Sequence, residues 1–176
     1  MDDERKQDEP VQGERVLLRP ADEADIPALA AIRRRPEVFR WWRGGDDLEK
    51  AIAEDLAEEG GHQYVIVHEG RTAGWIQWQA EEEPDYRHAS IDVYLDPDLH
   101  GRGLGTDAVR TLARHLVRDH GHHRITIDPA AANEPAIRSY TKVGFRPVGI
   151  LRKAERGNDG TWHDTLLMDL LAEELD

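Results

Sequence analysis

Between residues 88 and 118 a strand runs through a glycine-rich turn straight into an amphipathic helix, and this junction limits the available folds more than any other segment. His88 to Leu95 alternates, with Ala89, Ile91, Val93 and Leu95 on one face and Ser90, Asp92 and Tyr94 on the other. The segment Leu95-Asp96-Pro97-Asp98-Leu99-His100-Gly101-Arg102-Gly103-Leu104-Gly105-Thr106 ends that strand. Thr106 to Arg118 then carries Ala108, Val109, Leu112, Ala113, Leu116 and Val117 as one apolar stripe. A turn of this kind gathers backbone N–H groups at the positive end of a helix dipole, where an anion such as a pyrophosphate is favoured. The glycines lack the G-x-G-x-x-G spacing of a dinucleotide fold, and no G-K-[ST] of a Walker loop occurs. Relief of steric strain is the other use of glycine at such a turn.

The remaining pattern supplies the partners for this junction. Arg15 to Arg19 reads as a strand, and Asp22 or Asp25 can cap a helix carrying Ile26, Leu29, Ala30 and Ile32 that Pro36 interrupts. Leu48, Ile52 and Leu56 mark a helix within Asp46 to Glu59. Gln63 to His68 and Thr72 to Gln79 form a hairpin about Glu69-Gly70-Arg71. Arg124 to Ile127 is a strand, and Asn133 caps a helix through Lys142 with Pro135 in its first turn and Gly144 at its end. Phe145 to Arg152 and Trp162 to Leu170 read as two final strands. The order implies an α/β (α+β) fold, a central mixed, mostly antiparallel sheet of six to seven strands flanked by about four helices. Residues 1–12 read as a disordered acidic arm and residues 13–176 as a single domain.

Composition narrows the partners. The 36 acidic residues outweigh 23 basic ones, and the net charge of -13 opposes nucleic-acid binding while favouring cationic ligands. With no cysteine there is no disulfide framework, thiolate metal site or cysteine nucleophile. His115, His120, His122 and His123 have no acidic or cysteine partner at ligand spacing, so no metal is expected. The charged start and the absence of a long apolar run lead us to expect a cytoplasmic protein with no membrane association; the C-terminal strands leave monomer and homodimer both open.

The glycine turn resembles motif A of the GNAT superfamily of N-acetyltransferases, [QR]-x-x-G-x-[GA], with His100 where glutamine or arginine is usual and Gly103 and Gly105 in the glycine positions. Asn133-Glu134-Pro135-Ala136-Ile137-Arg138-Ser139-Tyr140 resembles the family's motif B. The resemblance implies a GNAT fold and acetyl-CoA as cosubstrate. It places the pyrophosphate on His100, Gly101, Arg102, Gly103, Gly105 and Thr106, the pantetheine arm near Asn133, and the thioester carbonyl near the backbone of Leu95, freed by an irregular strand end.

Transfer of an acetyl group to an amine needs a proton acceptor, an oxyanion donor and a proton source for the leaving thiolate. Asp92, which alternates away from the apolar face of its strand, is the candidate base, with Tyr94 on the same side; Tyr140 is the candidate acid. Asp128 stands at a strand end before Pro129, which disfavours helical geometry and projects it outward. Trp41 and Trp42 lie between the first two helices, where the family covers its acceptor. Arg40-Trp41-Trp42 with Gly44-Gly45, and Ile127-Asp128-Pro129 leading to Asn133, are similar to the aminoglycoside 6'-N-acetyltransferases, which implies substrate contacts for Trp42, Asp92 and Asp128 and a cationic small-molecule amine as substrate; Trp41 beside Trp42, and Tyr94 on the side of Asp92, are read as substrate contacts from their placement. The C-terminal stretch from Gly144 is similar instead to ribosomal-protein and spermidine acetyltransferases. A siderophore-type lysine acyltransferase and a non-catalytic coenzyme A-binding module remain open alternatives.

Overall fold

The computed structural model describes residues 8–176; the first seven residues of the expected arm lie outside the described residues. The strands are β1 (Val11–Gln12), β2 (Leu17–Pro20), β3 (His62–His68), β4 (Arg71–Glu81), β5 (His88–Leu95), β6 (Arg124–Ile127), β7 (Arg146–Arg156) and β8 (Trp162–Leu171). The helices are α1 (Ile26–Arg33), α2 (Pro36–Phe39), α3 (Leu48–Ala57), α4 (Leu104–Arg118) and α5 (Glu134–Val143). All eight strands form one sheet in the order β1-β2-β3-β4-β5-β6-β8-β7. Among the described strands only β5 and β6 pair in parallel, because α4 carries the chain back across the sheet between them.

The middle of the sheet, β3 to β5, is covered on both faces. Tyr64 and Ile66 of β3, Ile76 and Trp78 of β4, and Ala89 and Ile91 of β5 pack with the apolar stripe of α4 and with Tyr140 and Val143 of α5. On the opposite face Val65, Trp75 and Tyr94 pack under Leu29, Ala30 and Ile32 of α1 and Leu48 and Ile52 of α3. The β3–β4 turn holds Glu69 and Gly70 at φ 49° and 75°, the two-residue geometry whose twist suits a hairpin.

Three expectations are corrected. Among the described residues there are eight strands, not six or seven, because Val11–Gln12 pairs with Leu17–Leu18 and so is no part of a disordered arm. What fixes it is distant in sequence: the buried Asp107 carboxylate accepts from the backbone N–H of Glu14, Arg15 and Val16 at 3.2, 2.8 and 3.1 Å. The described residues hold five α-helices, not about four, because Pro36 starts a one-turn helix as well as ending α1. Finally, α4 begins at Leu104, since Gly103 in the left-handed conformation is its N-cap and draws Gly105 and Thr106 into the first turn.

Candidate active site

β5 and β6 pair only through Ala89–Ile125 and Ser90–Thr126, and beyond that the strands splay into a wedge. Asp96 N–H donates to the Ala73 carbonyl of β4 at 2.7 Å. By strand alternation the N–H groups of Val93 and Leu95 then face the other way, into the wedge. The Leu95 carbonyl faces there too, 3.0 Å from His100 Nε2. The expected irregular strand end is absent: β5 pairs with β4 in unbroken register through Gly74–Leu95. Departure of β6, not a bulge, frees these donors.

The turn into α4 is open at its end. Gly101 and Gly103 take φ 74° and 75°, and the first N–H groups of α4 have no partner within the helix. Gly105 has ordinary helical backbone, and a Cβ there would meet nothing nearer than Ser139 Oγ at 4.0 Å. Neither strain nor the protein's own packing therefore calls for glycine at 105; space over the helix terminus is what a side chain would fill. Arg15, which the sequence did not single out, donates to the Arg102 carbonyl at 2.5 Å and sets a positive charge against Gly103. Thr106 and Ser139 hydroxyls, 2.9 Å apart, join α4 to α5 beside Tyr140.

The wedge opens into a cavity of about 550 Å³ whose wall carries Asp55, Asp92, Asp128 and Glu155 together with Trp41 and Trp42. Trp42 packs edge-on against Tyr94, ring centroids 4.8 Å apart, and the Arg33 guanidinium lies 5.3 Å from its centroid. Arg33 pairs with Asp55 at 2.9 Å and donates to the Arg43 carbonyl. Arg43 reaches Glu155 at 3.8 Å, and Gln77 donates to Asp92 at 3.2 Å. Asn133 and Tyr140 of the α5 side complete the wall.

Loss of hydration dominates the proton affinities. It raises the Asp92 carboxyl against the Gln77 hydrogen bond, with the charges of Asp55 and Glu58 adding to it. Asp92 and Asp128 keep accessible surface at the cavity opening, yet protein crowds their remaining sides. Asp128 is pushed up to about 6, first by desolvation and then by Asp92 and Glu155. Burial, followed by the charges of Asp92 and Asp128, raises Tyr140 and keeps its hydroxyl protonated.

Comparison with known proteins places this geometry. Residues 15–146 match the family model described as an acetyltransferase (GNAT) domain. This chain belongs to the GNAT acetyltransferase family. It is similar to an aminoglycoside N(6')-acetyltransferase type 1 of Klebsiella pneumoniae, 31% identical over 153 residues that span 76% of this chain and 75% of that one. It is also similar to the spermidine N(1)-acetyltransferase of Escherichia coli K12, 24% identical over 146 residues, 77% of this chain and 75% of that one. Among solved structures, AAC(6')-Ib in complex with paromomycin and acetyl-CoA superposes with a TM-score of 0.75 at 28% identity, covering 92% of this chain and 96% of that one.

Within this acetyltransferase the structure gathers Trp41, Trp42, Asp92, Asp128, Asn133 and Tyr140 on one cavity. Leu95, His100, Gly101, Arg102, Gly103, Gly105 and Thr106 run along the turn that leads into α4. Tyr94 is the exception. It shares the face of Asp92, but α1 and α3 roof that part of the sheet, so it is 5% exposed and meets the cavity only through Trp42. Asn133 spends its side-chain oxygen partly on capping α5, accepting from Ala136 N–H at 3.4 Å. Arg33, Arg43, Asp55, Gln77 and Glu155 were missed. Asp55 sits on the helix read through Leu48, Ile52 and Leu56, and acidity next to an apolar stripe carries no signal by itself.

Proposed function

We propose that this acetyltransferase moves the acetyl group of acetyl-CoA to a primary amine of a polycationic small molecule, with the 6'-amine of an aminoglycoside as the leading acceptor. The observation that carries the reading is the convergence of Asp55, Asp92, Asp128 and Glu155 on one cavity beside Trp41 and Trp42. Arg33 and Arg43 offset part of that charge, and the remainder attracts ammonium groups while the indoles offer cation–π and apolar contact. Similarity to an aminoglycoside and a spermidine acetyltransferase supports a polycationic acceptor, and the higher identity favours the first.

The open turn suits the anionic end of acetyl-CoA. Backbone N–H groups from Gly101 to Thr106 would hold its pyrophosphate, with Arg15, Arg102 and His100 alongside and Asn133 toward the pantetheine arm. When bound, acetyl-CoA supplies an acyl group already activated as a thioester. Asp92 takes the proton from the acceptor ammonium, directly or through water, and its raised proton affinity makes it a stronger base than an exposed carboxylate. The Val93 and Leu95 N–H groups donate to the oxygen on which charge develops. Tyr140 Oη is the proton donor for the leaving thiolate.

Release of free coenzyme A, measured across kanamycin-type aminoglycosides, spermidine, lysine derivatives and peptides with free N-termini, tests this reading. Aminoglycoside turnover is expected to be the fastest, falling about a hundredfold or more in Asp92→Asn and at least about tenfold in Tyr140→Phe. Peptide-selective turnover would refute the acceptor, and coenzyme A binding without turnover of any amine would refute the enzyme.

A further inference from the structure

The hairpin formed by β7 and β8 reaches across the chain to the tryptophan wall of the cavity. Its tip is a braced turn: Gly157 N–H donates to the Thr161 carbonyl at 2.9 Å and Gly160 N–H to the Gly157 carbonyl at 3.0 Å. The Asp159 carboxylate accepts from Thr161 N–H at 2.9 Å and lies 3.1 Å from His163 Nε2. From this tip the Asn158 side-chain amide donates to the Phe39 carbonyl at 2.7 Å and to the Trp42 carbonyl, more than a hundred residues away in sequence. Asn158 is not in the left-handed region, so the turn itself does not call for asparagine there.

The segment it grips is held on its inner side by Phe39 and Trp42, which pack against the core formed with α1 and α3. Phe39 ends the one-turn helix α2, and its carbonyl has from the backbone one long hydrogen bond, accepted from Trp42 N–H at 3.3 Å. Gly44 and Gly45, at φ 149° and 61°, follow Arg43 and turn the chain toward α3. Between these points the side-chain anchors on the backbone are Asn158 at Phe39 and Trp42 and Arg33 at Arg43, with the Arg43–Glu155 pair as a weaker second link to the hairpin. Trp41 and Trp42 lie in this stretch, and Asn158 lines a small void against their outer side.

We infer that Asn158 is a positioning residue that ties the Trp41–Trp42 wall to the hairpin, making the acceptor site a pocket for compact amines where an untied wall would leave a groove that admits a peptide. Its kinetic consequence rests on the acetyl-transfer reading above; the tie itself does not. With the bridge in place, the α2–α3 segment and the β7–β8 hairpin are fastened to each other at the cavity rim, and an extended chain cannot lie between them.

Trypsin tests the tie without any substrate, because Arg40 and Arg43 are exposed within the segment. Wild type is compared with Asn158→Ala and with Asn158→Asp, which keeps the size and removes the donor. Loss of the two hydrogen bonds predicts cleavage after Arg43 about tenfold faster or more in both variants, with little change in the global melting temperature. In the same variants the KM for the small amine is expected to rise about tenfold with the KM for acetyl-CoA unchanged, and the preference for it over a peptide to fall by a similar factor. Cleavage at the wild-type rate would overturn the tie. Faster cleavage with unchanged acceptor KM and selectivity would overturn its role in specificity. Should the wild type acetylate no amine at all, the acetyl-transfer reading falls, and the cleavage rates still decide the tie.

Discussion

Asp128 holds its proton to about pH 6 because protein displaces its water and because Asp92 and Glu155 bring like charge to the same cavity. In the unfolded chain the same carboxyl ionises near its ordinary value of about 3.9. Through the window from about pH 4 to 6 the folded protein binds this proton while the unfolded chain has released it, so stability falls as pH rises. Above that window the ionised carboxylate is a standing penalty on the fold. Asp128→Asn removes it. Since Asp128 is partly open to solvent, screening trims the full linkage value, and the expected gain is ~1 kcal/mol at pH 8, vanishing near pH 4. Urea unfolding at the two pH values measures the difference, and a variant no more stable than wild type at pH 8 contradicts the account. The same substitution is expected to weaken acceptor binding, the trade expected where a site is held at the expense of stability.

At the scale of elements, the turn and first residues of α4 make the sharpest test, because stability and binding pull in opposite directions at Gly105. Alanine fits there without a contact under 4 Å and is a better helix former, so Gly105→Ala is expected to stabilise the fold by a few tenths to ~1 kcal/mol. The added methyl occupies the space over the helix terminus, and coenzyme A affinity, measured calorimetrically, is expected to fall about fivefold or more. Unchanged affinity would show that the open end of α4 is not where the pyrophosphate sits. This junction was readable from sequence because its signals are local: the alternation in β5, the glycines and the stripe of α4 all lie within one stretch. What was not readable depends on partners far away. β1 exists through Asp107, about ninety residues on. Tyr94 has the alternation of an open strand face, and only the docking of α1 and α3 shows that its face is roofed. Glu155 escaped notice because β7 runs past Arg152 through polar residues and a register shift, with Lys153 at φ 48°, where no alternation survives.

For the whole molecule, composition gave the sign of the field but not its focus. A net charge of -13 is compatible with mere solubility; the argument gains force because four of the 36 acidic side chains meet in one cavity, where a concave, partly desolvated wall concentrates the field. The two ligands proposed for this enzyme then feel the protein with opposite signs. A polycationic amine is drawn to the cavity and an anionic coenzyme A approaches a molecule of like net charge, aided near the turn by Arg15, Arg102 and the helix dipole. Raising salt from about 50 to 500 mM shortens the Debye length from about 14 to about 4 Å and weakens both effects. Acceptor kcat/KM is therefore expected to fall about tenfold for an amine with four charges and only about twofold for a monoamine, while the KM for acetyl-CoA stays level or improves. Steady-state kinetics with both substrates across that range distinguish this from a general effect of salt on the enzyme, which would move the two constants together and leave the slope independent of acceptor charge. Replacing Glu155 by Gln is expected to flatten the slope for the tetracation by removing one of the four converging charges, which ties the field to the cavity and not to the surface as a whole.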